Sequence, residues 1–344
     1  MTTTKMIQLK RIAEEASVSI ATVSRVLAKK QQVSEKTRDR VMKVAQKLNY
    51  RPNRLVHALQ SGKTQTVGVM IDPRSEYHAS VLAGIEETLL ASDYLPIVVT
   101  GRELSDAFQG PTNELDLIHR LVEQRVDGII LCPIEDETPE AVFAEARKHQ
   151  LPVICVDRQM PNTQADFVGT DDLTGGRMAA EYLLKLGHKC VGHLAGPRYA
   201  STGRLRREGF EQVIGQSDVI YHVQENKVFN GALEQAQALL QSSPRPTAIF
   251  AASDILATYV YKAAYYMGLS IPLDLSVIGF ADLRLAAMLA PSLTTLRQDS
   301  MSVGQHAAAM MLESISGKRK SVRPEYLQLK PQIIERESTC AIEQ

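Results

Sequence analysis

Apolar positions in the first 50 residues recur at helical spacing. Leu9, Ile12, Ala13 and Ala16 fall at i, i+3, i+4 and i+7, one face of a helix. The next stretch, VSIATVSRVL (18–27), is ambiguous, because its β-branched residues favour a strand on propensity alone. As a helix it is capped by Ser19 and turns Val23, Val26 and Leu27 inward, leaving Ile20, Ala21, Ser24 and Arg25 outside. A third helix opens at Ser34, with Val41, Val44, Ala45 and Leu48 on its buried face and Asp39 and Lys43 as an i, i+4 pair. A strand at 18–27 would leave both flanking helices nothing to pack on, so the helical reading is preferred. Two short helices joined by a tight turn and braced by a third make a helix-turn-helix, whose second helix enters the major groove. RPNRLVHALQSG (51–62) then predicts a short helix between Pro52 and Gly62 that has little to pack on and is marginal alone.

From Thr66 the pattern changes to alternating strands and helices. TVGVMI, LPIVVT, DGIILC and PVICVD are short β-rich apolar runs, separated by helical patterns such as ASVLAGIEETLLAS and NELDLIHRLVEQRV. A second series follows in CVGHLAG, VIYHVQ, PTAIFAA and LSVIGFA. Near-continuous apolar strands with crossover helices indicate parallel sheets covered on both faces. The expected fold is an all-α head followed by a short marginal helix and then an α/β core of two doubly wound parallel-sheet subdomains. Ligands in such folds bind outside the carboxyl ends of the strands.

Composition changes the picture in one respect. The 344 residues, 44% apolar and 23% charged, describe an ordinary globular protein of two or three units at about 150 residues each. Net charge is zero, yet residues 1–63 hold 14 Lys or Arg against 4 Asp or Glu, and the remainder holds 25 against 35. A basic head on an acidic body points to an anionic partner, most often nucleic acid; a solvated basic face is the bland alternative. No run reaches signal-peptide or membrane-span length, so a cytoplasmic, nucleoid-associated protein is expected. Cys132, Cys155, Cys190 and Cys340 are scattered, without C-x-x-C or paired histidines nearby. They are expected to be reduced fillers, with no metal site and no cofactor. An enzyme is not expected: no G-x-G-x-x-G follows the first strand, G-x-S-x-G and phosphate loops are missing, and TGGR (174–177) lies within a helical pattern as a packing feature.

The runs IAEEASVSIATVSRVL, VSEKTRDRVMKVAQKLNYRPNRLVHALQSGKTQTVGV, DGIILCP, VGTDDLTGGRMAAEYLLKLGH, LAGP, RPTAIFAASDILA, LSVIGFADLRLAAMLAPSLTTLRQ and IIERES follow one another in the order seen in the lactose-repressor (LacI/GalR) family of bacterial transcription regulators. The chain resembles that family over almost its whole length. The resemblance implies a headpiece over 1–50, a hinge helix and linker over 51–63, and a periplasmic-binding-protein-like core over 64–344. It places a first subdomain at about 64–162 and 296–325, and a second at about 163–295 and 326–344. It further implies a repressor that binds pseudo-palindromic double-stranded operator DNA as a homodimer, with affinity modulated by a small sugar, sugar derivative or nucleoside. No leucine heptads follow IIERES, so a dimer is expected rather than a larger assembly. A pleiotropic regulator controlled by a partner protein is the alternative, and a periplasmic-type binding protein a remote one.

By resemblance Ile20 and Ala21 make variable base contacts with Arg25 beside them, and Arg suits G O6/N7 while small apolar groups suit thymine methyls. Ser19 belongs to the same DNA-facing set; Thr22, Ser24, Ser34 and Thr37 match phosphate contacts. A core role is the alternative for Ile20. Asn53, Val56 and Leu59 belong to the hinge, with Leu59 matching a leucine that wedges into a central minor-groove step. Val56, His57 and Gln60 depart from the usual hinge residues. Effector contacts are implied at Tyr77, His78, Asp157, Arg206, Ser253, Asp254 and Gln298. A surface salt bridge is the other reading of Arg206, and a helix cap that of Asp254. Ala281 stands where many relatives carry an acidic residue, and Asp282 is expected to point the other way.

Overall fold

The structure, a computed structural model, describes residues 2–27, 33–50, 62–100, 114–133, 140–160, 163, 165–226, 231–319 and 323–342. The chain divides into two compact units, Met1–Thr64 and Gln65–Gln344. Among the described residues no helix is long and apolar enough to cross a membrane.

The first unit contains α1 (Thr2–Glu15), α2 (Ile20–Leu27) and α3 (Glu35–Lys47). α1 begins earlier than its apolar stripe required. Its end is closed by Ser17 at φ 50° and by the Val18 amide, which donates to the Ala13 carbonyl at 3.0 Å. Ile12, Ala13, Ala16, Val23, Val26, Val41 and Ala45 make the core that holds the three helices. Burial against neighbours on both sides, unavailable to an isolated segment, overrides the strand propensity of 18–27. Two local expectations fail. Ser34 stands at the N-cap of α3, but its hydroxyl bonds the Thr37 hydroxyl at 2.9 Å instead of capping the helix. Among the described residues Asp39 and Lys43 make no ion pair; Glu15 instead gathers Arg11 and Lys47 at 3.6 and 3.3 Å.

The second unit has two six-stranded sheets. The first, in the order β11-β5-β4-β3-β1-β2, is parallel throughout; its strands are β1 (Thr66–Met70), β2 (Leu95–Val99), β3 (Ile129–Leu131), β4 (Val153–Val156), β5 (Asp166–Thr170) and β11 (Tyr326–Leu329). The second, ordered β12-β10-β9-β8-β6-β7, contains β6 (Cys190–Ala195), β7 (Ile220–Glu225), β8 (Ala248–Ala251), β9 (Ser276–Ala281), β10 (Thr294–Arg297) and β12 (Gln332–Ile334). Here only the β10–β12 pair is antiparallel.

The expected subdomain limits need correction. Asp166–Thr170 and Tyr326–Leu329, assigned from sequence to the second subdomain, pair with each other and complete the first sheet, while β10 stays in the second sheet to Arg297. β5, β10, β11 and β12 were not read as strands, because their short polar-apolar mixtures gain strand character only from the partner they complete.

Helices cover both faces of each sheet. α4 (Glu76–Ala91) and α12 (Ser300–Ser316) bury Val81, Ile85, Leu89, Val303, Ala307 and Met311 against one face of the first. α5 (Glu114–Glu123) and α6 (Glu140–Lys148) cover the other with Leu117, Ile118, Leu121, Val142 and Phe143. On the second sheet, α7 (Asp172–Lys185) and α8 (Ser201–Ile214) pack Ala179, Leu183 and Phe210 on one face. α9 (Ala232–Leu240) and α10 (Asp254–Tyr266) pack Leu239, Leu256 and Val260 on the other. A short α11 (Arg284–Met288) follows β9. The chain passes between the sheets after β5, after β10 and after β11. Two hydrogen bonds tie these passages together: Gln298 Nε2 donates to Thr170 Oγ1 at 2.9 Å, and the Asp171 amide donates to the Leu329 carbonyl at 2.9 Å.

His193 on β6 is fully buried against the Phe210 and Phe250 rings, and its Nδ1–H donates to the Phe250 carbonyl at 2.8 Å. Burial pushes its pKa down to about 3. A base held below its unfolded pKa contributes stability above about 6.5 that is lost as pH falls toward 3, because the unfolded chain takes up the proton first. His193→Gln keeps a donor for the carbonyl and cannot charge. The melting temperature of this variant should therefore fall less steeply between pH 6.5 and 4 than that of the wild type; parallel slopes would show that His193 is not the source.

Candidate functional site

The residues of the first unit expected to face DNA occupy one side of α2 and its entry. Ser19, Ile20, Ala21, Ser24 and Arg25 are exposed, with Ile20 at 41%, and Thr22 is half-buried. Exposure of a branched apolar side chain beside an arginine, with Val23 and Val26 buried behind it, excludes the core role for Ile20. The Ser19 side chain accepts from the Thr22 amide at 3.1 Å and shares a hydroxyl contact with Thr22 Oγ1 at 2.9 Å. The start of α2 is thereby fixed as expected, because a free amide there is bonded locally. Ser34 is exposed and Thr37 half-buried at the start of α3. Asn53, Val56 and Leu59 lie outside the described residues.

In the second unit, polar groups converge at the carboxyl ends of the two sheets. Tyr77 and His78 lie on the first turn of α4, which Ser75 caps by accepting from the His78 amide. Their rings meet edge to face with centroids 5.5 Å apart. His78 Nε2 lies 3.2 Å from Asp157 Oδ2 and 3.6 Å from Cys132 Sγ. Asp157 follows β4 in the left-handed region at φ 66°, which an aspartate tolerates better than most residues. Burial works against charge on both partners. Even so, the Cys132 sulfur and the Asp157 carboxylate raise the His78 pKa well above its ordinary value, and His78 holds Asp157 below the usual carboxylate range. The Tyr77 hydroxyl is buried beside Thr170 and, among the described residues, makes no hydrogen bond of good geometry. Burial first, then the Asp157 and Asp172 charges, push its pKa well up.

From the second sheet comes Arg206, buried on α8. Its Nε donates to Asp172 Oδ1 at 2.7 Å, its Nη1 to the Ala252 carbonyl at 2.8 Å, and its guanidinium carbon lies 3.8 Å from the Phe280 ring centre. The surface-salt-bridge reading is thus excluded, since the Arg206 and Asp172 side chains are 10% and 3% exposed. Burial pushes the Asp172 carboxyl up to about 7, against the pull of Arg206. Close approach of α7 and α8 makes this position possible, because Gly176 faces the Arg206 carbonyl oxygen where a Cβ would overlap it. TGGR is therefore the packing feature its helical context suggested.

The remaining expected contacts divide. Gln298 is buried and bonds Thr170, within the same polar region. Ser253 caps α10 by accepting from the Leu256 amide at 3.2 Å. Asp254 is a correction to the effector set: it is fully buried, and its two oxygens accept from the Leu283 amide at 2.7 Å and the Thr295 hydroxyl at 2.5 Å. Both acceptor oxygens are thus used to tie α10 to the ends of β9 and β10. Asp282, as expected, serves elsewhere; its carboxylate pairs with Arg297 and Arg336 at 2.7 and 2.6 Å. Ala281 and Asp282 both have positive φ, 128° and 58°, so the backbone turns sharply at the end of β9. Asp172, Thr170, Cys132 and Phe280 were missed from sequence. Of the adjacent Asp171 and Asp172, the first caps α7 by accepting from the Thr174 amide, and only the structure shows that the second turns to Arg206.

A helix-turn-helix unit and a two-sheet core with a polar cluster at its strand ends, in one chain, are the architecture of DNA-binding regulators joined to a periplasmic-binding-protein-like domain. Residues 8–53 match the model of bacterial regulatory proteins of the lacI family, and residues 180–339 match that of the periplasmic binding protein-like domain. The HTH-type transcriptional repressor PurR of Escherichia fergusonii is 31% identical over 97% of both chains. A lac repressor dimer solved with operator and the anti-inducer ONPF is 27% identical, with TM-score 0.79 over 96% of this chain and 98% of that one. A cellobiose complex of the transcriptional regulator CelR is 25% identical, with TM-score 0.72 over 96% and 99%. The chain belongs to the lacI family of bacterial regulatory proteins.

Proposed function

We propose that this protein is a cytoplasmic transcriptional repressor that binds a pseudo-palindromic operator as a homodimer, with affinity set by a small hydroxylated ligand at the carboxyl ends of the two sheets. One recognition helix covers a half-site, so a two-fold dimer follows from the geometry of DNA. The observation that carries the ligand reading is the convergence of Tyr77, His78 and Asp157 from one sheet with Arg206 and Gln298 from the other. The Tyr77 hydroxyl, buried beside Thr170 with no well-formed hydrogen bond among the described residues, favours a partner with a hydroxyl or carbonyl oxygen, because a buried polar group without a good bond is costly. The cellobiose complex of CelR and a ribose-bound regulator from Enterococcus faecium, 26% identical, support a carbohydrate. Ala281 takes one carboxylate out of the usual set, which favours a less hydroxylated or an anionic derivative.

The test is operator binding by the purified protein across sugars, sugar phosphates and nucleosides at one fixed salt concentration, since phosphate contacts make affinity salt-dependent. One compound should shift operator affinity by about 1–3 kcal/mol in coupling. No shift from any compound, with tight operator binding intact, would replace the ligand by a protein partner. Arg25→Ala should cost about 1–3 kcal/mol per half-site on operator and much less on random DNA. Equal losses on both would make Arg25 a phosphate contact.

A further inference from the structure

His78 and Asp157, which the effector reading uses, meet a third group that it leaves unexplained, the Cys132 thiol. β4, β3 and β1 are neighbours in the first sheet, so the residues just beyond them share one end of it. Asp157 follows β4, Cys132 follows β3, and His78 stands on the helix that follows β1. The three donor atoms lie within 4.8 Å of one another. Two chemistries could use such a set. In a nucleophile relay the thiol would bond one imidazole nitrogen and the carboxylate the other. Here both approach Nε2, at 3.2 and 3.6 Å, while Nδ1 is buried with no partner among the described residues. A single N–H cannot satisfy two such groups, whereas a cation between the three atoms satisfies all of them. The two His78 edges fit one, and Cys132 Sγ lies within 4.8 Å of the Asp157 oxygen, so the thiol has to close on the ion as it binds. Tetrahedral zinc with bonds of about 2.05 Å to N and O and about 2.3 Å to S has N–O and N–S edges of about 3.4 and about 3.6 Å.

We propose that His78 Nε2, Cys132 Sγ and the Asp157 carboxylate bind one divalent ion of the zinc class, leaving its fourth position to water or a ligand oxygen. Imidazole and thiolate select zinc, cobalt or nickel over magnesium and calcium, which prefer all-oxygen sites. Binding releases two protons to solvent, the Cys132 thiol proton and the His78 Nε2 proton, and leaves a neutral ring that keeps its proton on Nδ1. The ion's two charges are then balanced by one thiolate and one carboxylate, which suits a site where Cys132 is 8% exposed and the His78 and Asp157 side chains 16% and 11%.

Cobalt is the probe. Full-length protein, stripped by a chelator and titrated with Co2+, should bind one ion per chain, show thiolate-to-cobalt charge-transfer absorption with tetrahedral visible bands, and release the cobalt to one equivalent of Zn2+. Cys132→Ser should abolish the charge-transfer band. Changing even an outer-shell partner costs about 10–100-fold in affinity, so His78→Gln and Cys132→Ser should each weaken zinc, measured by chelator competition, about 100-fold or more. Alkylation of Cys132 in the wild type, followed by peptide mapping, should be blocked by Zn2+, which keeps the test independent of whether the variants fold. Substoichiometric cobalt, a band that survives Cys132→Ser, or unprotected Cys132 would overturn the proposal. The ligand panel on the same preparation separates the two readings: no metal with an intact ligand response overturns this site alone, and metal without any ligand response overturns the effector reading alone.

Discussion

Arg206→Ala abolishes the response of operator affinity to the cleft ligand and destabilises the core by about 3–5 kcal/mol, the usual cost of breaking one side of a buried ion pair. Asp172 would be left buried with no guanidinium, the Ala252 carbonyl would lose its donor, and the Phe280 ring would lose the cation packed on it. The loss has a sign in pH. Asp172 already has its carboxyl raised to about 7, far above its unfolded value near 3.8, and losing Arg206 raises it further. A carboxyl raised in the folded state contributes stability at low pH that disappears as pH rises through its folded value. The deficit of Arg206→Ala should therefore be smaller at pH 5, where Asp172 neutralises itself, than at pH 8. Denaturant melts at the two pH values check this, with operator titrations at neutral pH under native conditions. An unchanged ligand response would remove Arg206 from the binding site, and equal deficits at both pH values would mean that Asp172 does not carry the cost.

Gly176→Ala should destabilise the core by about 3 kcal/mol or more, at or above the upper end of ordinary overpacking. A Cβ there would overlap the Arg206 carbonyl oxygen and crowd the Phe210 amide, and at Gly209 it would meet the Leu173 carbonyl. These are backbone atoms, which no rotamer change can move aside, so α7 and α8 must separate. Separation displaces Arg206 from Asp172, and ligand affinity should fall even at temperatures where the variant is fully folded. Melting and ligand titration on the same variant check both halves. A loss under about 1 kcal/mol with normal ligand affinity would show that the helix pair has slack that the structure does not display.

Both effects arise from residues whose roles lay partly open in the sequence. TGGR could be placed in a helix and assigned to packing, but which backbone it admits was hidden, because the neighbour is 30 residues away in sequence. Asp254 shows the converse. Its place after an apolar strand suggested a ligand contact, and its conversion to an internal strut depends on Leu283 and Thr295, which reach it only after β9 and β10 pair. The cluster of His78, Cys132 and Asp157 could not be found by spacing, since 54 and 25 residues separate its members. Parallel-sheet order alone brings β4, β3 and β1 side by side.

Local periodicity and charge determined the helices of the first unit, the outward face of α2, the basic head and the alternation of strands and helices. Those features rest on residues within a few positions of one another, where side-chain direction follows from backbone geometry. Tertiary structure decided the membership of β5, β10, β11 and β12, the burial of Arg206 on Asp172, the withdrawal of Asp254 and the meeting of His78, Cys132 and Asp157. Each depends on long-range pairing, and burial there fixes both the partner and the charge a side chain can hold.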